Sequence, residues 1–387
     1  MNLDRFRAFA AGRQRPFTAA AFRRCLLVAL FLYLFLCAIS LLGAAFKLFG
    51  GGFSQALIAG TSNPVLGLMI GLLATSLIQS SSSTSSIVVG LVAAGALTVR
   101  GAIPIVMGAN MGTTVTNTVV AMTSINRRGE FVRAFAGATM HDFFNLITIL
   151  VLFPLEQATR WLEHTAIWLS THLIGAQGLE FQSPVKVIVA PTVDFCAKLV
   201  TDDLRLVPWT GGVVLLILSL GLIFVALTGL TRALKQVVLD RAEGSIAGWV
   251  QNGGVGAMAV GLVLTVAVQS SSVTTSLLIP LIGAGIVPLT GAFAVTLGAN
   301  LGTTVTALLA SLAGNVAAVT VALVHLLFNL AGILVIYPLR PIRMIPIKLA
   351  RSLAHATSRH RGYAFLYMFG VFFAMPLLFL LLHRWLG

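Results

Sequence analysis

The sequence concentrates hydroxyl and amide side chains in one short segment, QSSSSTSS at residues 79–86, inside a chain that is 58% hydrophobic. Each hydroxyl can donate and accept, so the segment can bind an oxyanion through its protons or a bare alkali cation through its oxygens. A single serine in a membrane helix more often serves helix packing. Eight consecutive polar residues that recur later in the chain favour ion binding over packing.

The recurrence lies 190 residues downstream, as QSSSVTTS at residues 269–276. Residues 79–118 and 269–308 align without a gap and are identical at 19 of 40 positions. A further pair, HDFFNL from His141 and HLLFNL from His325, follows at an offset of 184. Apolar stretches resemble one another by chance, but shared polar residues at fixed spacing indicate an internal duplication.

A second repeated motif, GAN-x-GTTVT, occupies residues 108–116 and 298–306. Glycine inside a span permits unwinding or a close backbone approach, and asparagine offers both a donor and an acceptor. We therefore predict a broken, unwound helix in each copy, placed beside its QSSS element. The alternative is a glycine-mediated contact between helices.

The elements that hold these motifs are predicted to be membrane helices. Only 9% of the 387 residues are charged, against about 25% in soluble domains. Runs such as 25–46, 211–228 and 364–382 are apolar, and about 20 such residues span a bilayer. The net charge of +14 comes from basic residues clustered in a few loops, which indicates cytoplasmic loops rather than nucleic-acid binding.

Loop charges assign the two copies opposite orientations. Residues 127–133 follow the first GAN motif and carry three arginines, whereas their counterpart at 311–315 is uncharged. At the ends of the copies the bias reverses, because 155–210 mixes acids and bases while 339–362 is basic without an acid. Since basic loops stay cytoplasmic, the copies are predicted to be inverted repeats, which are typical of secondary transporters.

The predicted fold is an all-α polytopic membrane protein with two inverted repeats, each containing a re-entrant helical hairpin and a broken transmembrane helix, plus an extra C-terminal span. The hairpins are predicted at 63–99 and 250–288, with QSSS at each tip. In chain order the parts are a cytoplasmic N-terminal segment (1–24), the first repeat (25–154), an extracytoplasmic loop with an interfacial helix (155–210), the second repeat (211–338), a basic cytoplasmic loop (339–362) and an extracytoplasmic-ending span (363–387).

The predicted site offers hydroxyls, amides and helix N-termini, but no arginine or lysine. An isolated buried charge costs several kcal/mol, so we expect co-bound Na⁺ to neutralise the bound oxyanion. The free carbonyls where a helix ends at each tip suit the Na⁺. Asp142 lies beside the repeated HxxFN pattern and has no counterpart in the second copy. It is either a functional intramembrane acid or a structural acid paired with His141 or Asn145.

At these motifs the sequence resembles the type II sodium-dependent phosphate cotransporters, in a short bacterial form. The resemblance rests on QSSSSTSSIVV with TVRGAIPIVMGANMGTTVTNTVVA, and on QSSSVTTSLLIPLIGAG with LGANLGTTVTALL. It extends from about Cys25 to Pro338. It implies import of inorganic phosphate by alternating access, with Na⁺ as coupling ion and no other cofactor, and no enzymatic activity.

The resemblance, taken with the GAN motifs, also implies a set of ligands near the bilayer midplane. The predicted phosphate ligands are Ser80, Ser81, Ser271, Ser272, Asn110 and Asn300. The predicted sodium ligands are Gln79, Gln269, Ser270, Thr303, Thr306, Thr113 and Thr116. No catalytic residue and no transition-metal site is predicted.

Three alternatives stay open. One is a Na⁺-coupled symporter of another oxyanion, such as sulfate or arsenate, and another is an ion channel whose hydroxyl-lined tips act as filters. The third is an intramembrane enzyme using Asp142 with His141 and His325, although neither duplicated motif holds a nucleophile–base pair. We expect a multi-pass inner-membrane protein whose partners are phosphate, Na⁺ and lipid rather than nucleic acid, with a homodimer as one expectation for its oligomeric state.

Overall fold

The computed structural model describes residues 19–174, 184–242, 250 and 253–386, and helices dominate these ranges. The first half of the chain forms α1 (Ala19–Phe49), α2 (Gly51–Gly60), α3 (Pro64–Ile78), α4 (Ser81–Ala93), α5 (Val99–Gly112), α6 (Val115–Met122), α7 (Arg128–Thr159), α8 (Trp161–Ile174) and α9 (Pro184–Lys198). The second half forms α10 (Pro208–Ala242), α11 (Gly254–Val268), α12 (Ser271–Gly283), α13 (Leu289–Ser311), α14 (Val316–Ile336), α15 (Arg340–Arg359), α16 (Gly362–Phe369) and α17 (Met375–Leu386). π-Helical turns follow α9 and separate α16 from α17.

Six helical segments of the described chain are long and apolar enough to cross a membrane. They belong to α1, α7, α10, α13, α14 and the run from α16 into α17. The pair α2 and α3 passes the same test together, but it bends by 97°. The prediction of an all-α polytopic membrane protein is confirmed.

Both QSSS elements form the tip of a helical hairpin, as predicted. In each hairpin a 15-residue helix enters, α3 or α11, and a 13-residue helix leaves, α4 or α12. At a rise of about 1.5 Å per residue these helices measure roughly 20–22 Å, which is shorter than a hydrocarbon core of about 30 Å. Helices of this length fit a hairpin that enters and leaves the membrane on the same side. Its re-entrant placement and the inversion of the repeats stay predictions.

The GAN motifs differ between the repeats. In the first repeat the helix breaks at Thr113–Thr114, between α5 and α6, whereas in the second α13 runs unbroken through the same motif. The prediction of a broken helix in each repeat is therefore wrong for the second. There Thr303 and Thr304 keep helical geometry and donate to backbone carbonyls of the preceding turn, 3.1 Å to Ala299 and 2.7 Å to Leu301.

The GAN glycines allow two backbones to touch. A Cβ on Gly108 would lie 2.0 Å from the carbonyl oxygen of Leu68, on α3. A Cβ on Gly298 would lie 1.8 Å from that of Met258, on α11. Each GAN helix therefore packs directly against the entering helix of its own hairpin, and the glycine-mediated contact accounts for these positions in both copies.

The connecting segments contain more helix than predicted. The basic segment 339–362, predicted as a loop, is mostly α15, which buries Ile347, Ala350 and Ala354 at helical spacing. The helix expected within 155–210 is present as α8, and α9 follows it. The predicted N-terminal segment lies almost wholly outside the described residues, as do 175–183 of the predicted outer loop.

Candidate functional site

Each hairpin turns on a glutamine in the left-handed backbone region. Gln79 has φ 58° and ψ 26°, and Gln269 has φ 56° and ψ 28°. A non-glycine residue held there costs on the order of 1–3 kcal/mol, and such residues cluster at functional sites. The side-chain amide partly offsets the strain, because Nε2 of Gln79 donates to the Ser76 carbonyl and Nε2 of Gln269 donates to the Val266 carbonyl at 2.7 Å.

The amide oxygen of each glutamine accepts a hydrogen bond from a GAN threonine of its own repeat. Thr116 Oγ1 donates to Gln79 Oε1 at 2.8 Å, and Thr306 Oγ1 donates to Gln269 Oε1 at 3.0 Å. The structure thus brings together four of the predicted sodium ligands as two equivalent pairs. Amide, hydroxyl and helix-end carbonyl oxygens of this kind suit Na⁺.

The serine after each glutamine caps the helix that leaves the tip. Ser80 Oγ accepts from the backbone N–H of Ser83 at 3.2 Å, and Ser270 Oγ accepts from that of Val273 at 3.4 Å. Each capping hydroxyl keeps its own proton for donation. The first N–H groups of a helix lack intrahelical partners and carry a partial positive charge, so both tips aim an anion-binding helix end at the turn.

The other predicted phosphate ligands of the tips, Ser81, Ser271 and Ser272, form the first turns of α4 and α12. Ser81 and Ser271 are buried, and Ser272 is half-buried. They therefore lie beside the helix ends that would receive an anion.

Helix α6 connects the two hairpins through adjacent residues. Thr116 bonds to Gln79 of the first hairpin. Its neighbour Asn117 reaches the second, where its Nδ2 donates to Thr275 Oγ1 at 3.0 Å and its Oδ1 accepts from Ser276 Oγ at 3.1 Å. The break before α6 and these bonds place both QSSS elements around one short helix. Asn117 was missed from sequence because its counterpart, Ala307, is apolar.

Two further predicted sodium ligands, Thr113 and Thr303, point their hydroxyls into their own helices. They donate to the carbonyls of Ala109 at 3.4 Å and Ala299 at 3.1 Å. Both are buried. Among the described residues neither bonds to a QSSS element, so the structure does not bring them into the glutamine–threonine pairs.

The predicted phosphate ligands Asn110 and Asn300 belong to a separate amide cluster. Their Nδ2 atoms both donate to Oδ1 of Asn329, each at 3.1 Å. Asn145 Nδ2 donates to the Asn110 carbonyl at 2.9 Å, and the His325 ring lies 3.1 Å from Asn110 Oδ1. All five are buried. The cluster ties the GAN helices to the HxxFN helices, and the repeated FN was the signal that could have identified Asn329.

Asp142 is a buried residue of α7, and among the described contacts it pairs with neither His141 nor Asn145. Its Oδ2 accepts from the Tyr367 hydroxyl at 2.6 Å, so its partner comes from the C-terminal span. The side chain of Thr114 also interacts with the Asp142 carboxyl group, and that of Asn300 with the His141 ring. The hydrogen bond from Tyr367 is the best-defined contact of the carboxyl group among the described residues.

Comparison with known proteins decides the family. The family described as Na⁺/Pi-cotransporter matches residues 34–180 and 222–378, which include both hairpins and both GAN motifs. The chain belongs to the Na⁺/Pi-cotransporter family.

Several curated members of the cotransporter family resemble the chain over most of its length. It is 35% identical over 444 residues to "Sodium-dependent phosphate transport protein 2B" of Homo sapiens, covering 92% of the chain and 64% of that relative. It is 36% identical over 424 residues to "Sodium-dependent phosphate transport protein 2A" of Ovis aries, covering 89% of the chain and 65% of the relative. The chain thus spans slightly less than two thirds of these relatives. No solved structure matches it.

Proposed function

We propose that this protein is a Na⁺-coupled symporter that imports inorganic phosphate by alternating access. The observation that carries the proposal is the pair of serine-capped hairpin tips, each with a glutamine–threonine contact, joined through α6. The names of the relatives, sodium-dependent phosphate transport proteins, support the choice of ions. Transport rather than an enzymatic activity fits a site of hydroxyls and amides.

Electrostatics explains why the two ions would travel together. The hydrogen-bond partners seen at the tips are serine, threonine, glutamine, asparagine and backbone groups. Helix ends contribute roughly half a charge each, which is too little to neutralise a phosphate. Na⁺ held by the glutamine and threonine oxygens supplies the missing charge. A net positive charge carried inward gains about 2.3 kcal/mol per 100 mV of membrane potential.

The proposed orientation follows from loop charge. The positive-inside rule places α15 and the arginines of 127–133 on the cytoplasmic side of the inner membrane, with the N-terminus cytoplasmic and the C-terminus outside. The hairpins then enter from opposite sides, and alternating access exposes each tip in turn.

Uptake of radiolabelled phosphate into proteoliposomes tests the proposal. An inward Na⁺ gradient is expected to drive saturable accumulation that an equal choline gradient does not support. Uptake that is independent of Na⁺ contradicts the coupling. Unlabelled sulfate and arsenate, added as competitors, measure selectivity, and stronger competition by sulfate than by phosphate contradicts the choice of substrate. Flux that does not saturate indicates a channel.

A further inference from the structure

Helix α15 lines two neighbouring cavities with arginine. The first cavity, of about 470 Å³, is lined by Arg351 and His355 of α15 and by Arg133 of α7. The second, of about 320 Å³, is lined by Arg340 and Arg343. Thr290, in the first turn of α13 just after the second hairpin, lines both cavities. Four guanidinium groups therefore surround one corner of the molecule.

These four arginines have no carboxylate to neutralise them within the part of the chain that the structure describes. Helix α15 contains no aspartate or glutamate, and the described ion pair of this region joins Arg127 to Glu130 at 2.9 Å. Arg133 donates from Nε to the Gly283 carbonyl at 2.8 Å. That bond fixes its side chain and leaves its charge uncompensated.

The walls of the first cavity are apolar next to its cations. Val132, Ile282, Val287 and Leu289 line it together with the two arginines. On the exposed side of α15, Ile345 and Leu349 are 43% and 41% exposed. Arginine recognises phosphate oxygens in bidentate fashion. A free phosphate gains nothing from apolar walls, whereas an amphiphile uses both surfaces.

In the second cavity, Arg343 is already positioned. Its guanidinium carbon lies 4.8 Å from the centre of the Tyr337 ring, a cation–π contact that holds the group in place while leaving its N–H donors available. An amphipathic helix with basic and apolar residues side by side is typical of a membrane-surface element.

The base of the first hairpin provides an internal comparison. A cavity of about 390 Å³ there is lined by Thr98, Arg100 and Gln157, among others, and Arg100 is its single arginine. Arg100, in the first turn of α5, aligns with Thr290, in the first turn of α13. Three of the four arginines of the cluster come from α15 and the fourth, Arg133, from α7, so the duplication does not account for the cluster.

We propose that the two α15 cavities bind a phosphate-bearing anion, namely the headgroup of an acidic phospholipid, with the acyl chains against the apolar wall beside α15. Bound lipid would join α15 to α7 and to the base of the second hairpin. Lipid binding at this site requires neither Na⁺ nor transport, so its test is independent of the proposed transport function.

Native mass spectrometry of the full chain in neutral detergent tests this site. The probes are phosphatidylglycerol, phosphatidylcholine and, in a third arm, inorganic phosphate without lipid. The variant Arg343→Gln/Arg351→Gln removes one arginine from each cavity. The matched control Lys348→Gln/Arg359→Gln removes two exposed charges of the same helix that line neither cavity. Arg351→Gln alone serves if the double variant fails to fold.

The wild type is expected to prefer phosphatidylglycerol over phosphatidylcholine. The site variant should weaken phosphatidylglycerol binding at least about a hundredfold, because it removes one charge-assisted contact to the headgroup from each cavity, and Arg351→Gln alone about tenfold. The control should stay within about twofold. Equal weakening in the control would reduce the effect to diffuse surface charge and overturn the site, as would unchanged binding in the site variant. Inorganic phosphate that binds the wild type and not the site variant would identify free phosphate as the occupant and overturn the lipid assignment.

Discussion

The two hairpins are alike at their tips and differ where each one packs against the opposite repeat. Gln79 and Gln269 have nearly the same backbone angles, and the hydrogen bonds they accept from Thr116 and Thr306 measure 2.8 Å and 3.0 Å. One turn further on, Thr275 bonds to Asn117 of the opposite repeat. Its counterpart, Ser85, is buried, and its hydroxyl has no hydrogen-bond partner among the described residues.

The difference begins with single replacements between the copies. Asn117 is matched by Ala307, and Ala307 belongs to an apolar cluster with Val88 and Val89 of α4. Both hairpins pack apolar side chains against the opposite repeat, for example Ile282 of α12 against α7. At the position of Asn117 and Ala307, however, the second hairpin adds side-chain hydrogen bonds, whereas the first has apolar contacts alone among the described residues. The hydrogen bond from the second repeat to the first hairpin lies at the far end of α4, where Asn315 Nδ2 donates to the Ala93 carbonyl at 3.2 Å. A duplicated site has become one whose halves are stabilised differently, and the polar attachment coincides with the broken helix.

The largest loss of uptake is predicted for the two tip glutamines, which both halves of the site share. Gln79→Ala and Gln269→Ala should each reduce Na⁺-driven uptake roughly ten- to hundredfold, since hydrogen bonds to charged groups contribute about 1.5–3 kcal/mol. Gln55→Ala, at an exposed position of α2, is the control. Loss of uptake in only one glutamine variant would contradict the claim that both tips are needed for transport.

The next prediction concerns Asp142, an acidic residue that only the first repeat has, since its counterpart in the second is Leu326. Asp142→Asn keeps an oxygen that can accept from Tyr367 but removes the charge. We expect the apparent Na⁺ affinity to fall about tenfold, the equivalent of roughly 1.4 kcal/mol, with little change in thermal stability. Tyr367→Phe removes the hydrogen bond and keeps the charge. A larger loss of Na⁺ affinity in Tyr367→Phe than in Asp142→Asn would show that the charge is not what matters.

Asn117→Ala should make the first repeat resemble the second. It removes both amide bonds to α12, and we expect a loss of about 1–2 kcal/mol in the free energy of unfolding together with weaker uptake. Thermal denaturation in detergent measures the stability. Asn126→Ala, in the exposed loop before α7 and bonded to Arg361 at 2.9 Å, is the matched control, and an equal loss there would remove the special role of Asn117.

The smallest predicted effects are changes in the free energy of unfolding that distinguish Thr275 from its counterpart Ser85. Thr275→Val should cost about 1 kcal/mol because it leaves the Asn117 amide without an acceptor. Ser85→Ala removes a buried hydroxyl that has no partner within the described chain, so the free energy of unfolding of this variant should be unchanged or slightly higher. The same denaturation assay compares them. A cost for Ser85→Ala equal to that for Thr275→Val would contradict the asymmetry.

The motifs allowed the hairpins to be predicted, because repeated polar residues in an apolar chain require partners. The resemblance named Gln79, Gln269, Thr116 and Thr306 as sodium ligands but did not indicate which of them would pair. The motifs could not predict that α13 stays continuous while the first GAN helix breaks, since both copies read GAN-x-GTTVT. Nor could they place Asn110 and Asn300 in the amide cluster, because its partner Asn329 comes from another helix. Helix α15 was missed because residues 339–362 were assigned as a loop from their basic charge alone, and charge does not distinguish a loop from a helix at the membrane surface.

The most direct test of the central claim is equilibrium binding of phosphate to the purified protein, measured in Na⁺ and in choline. The paired tips predict binding that Na⁺ strengthens in the wild type, and a loss of that Na⁺ dependence in both Gln79→Ala and Gln269→Ala. Phosphate binding of equal strength in Na⁺ and choline, or Na⁺ dependence that survives in both variants, would contradict a shared site at the two QSSS tips.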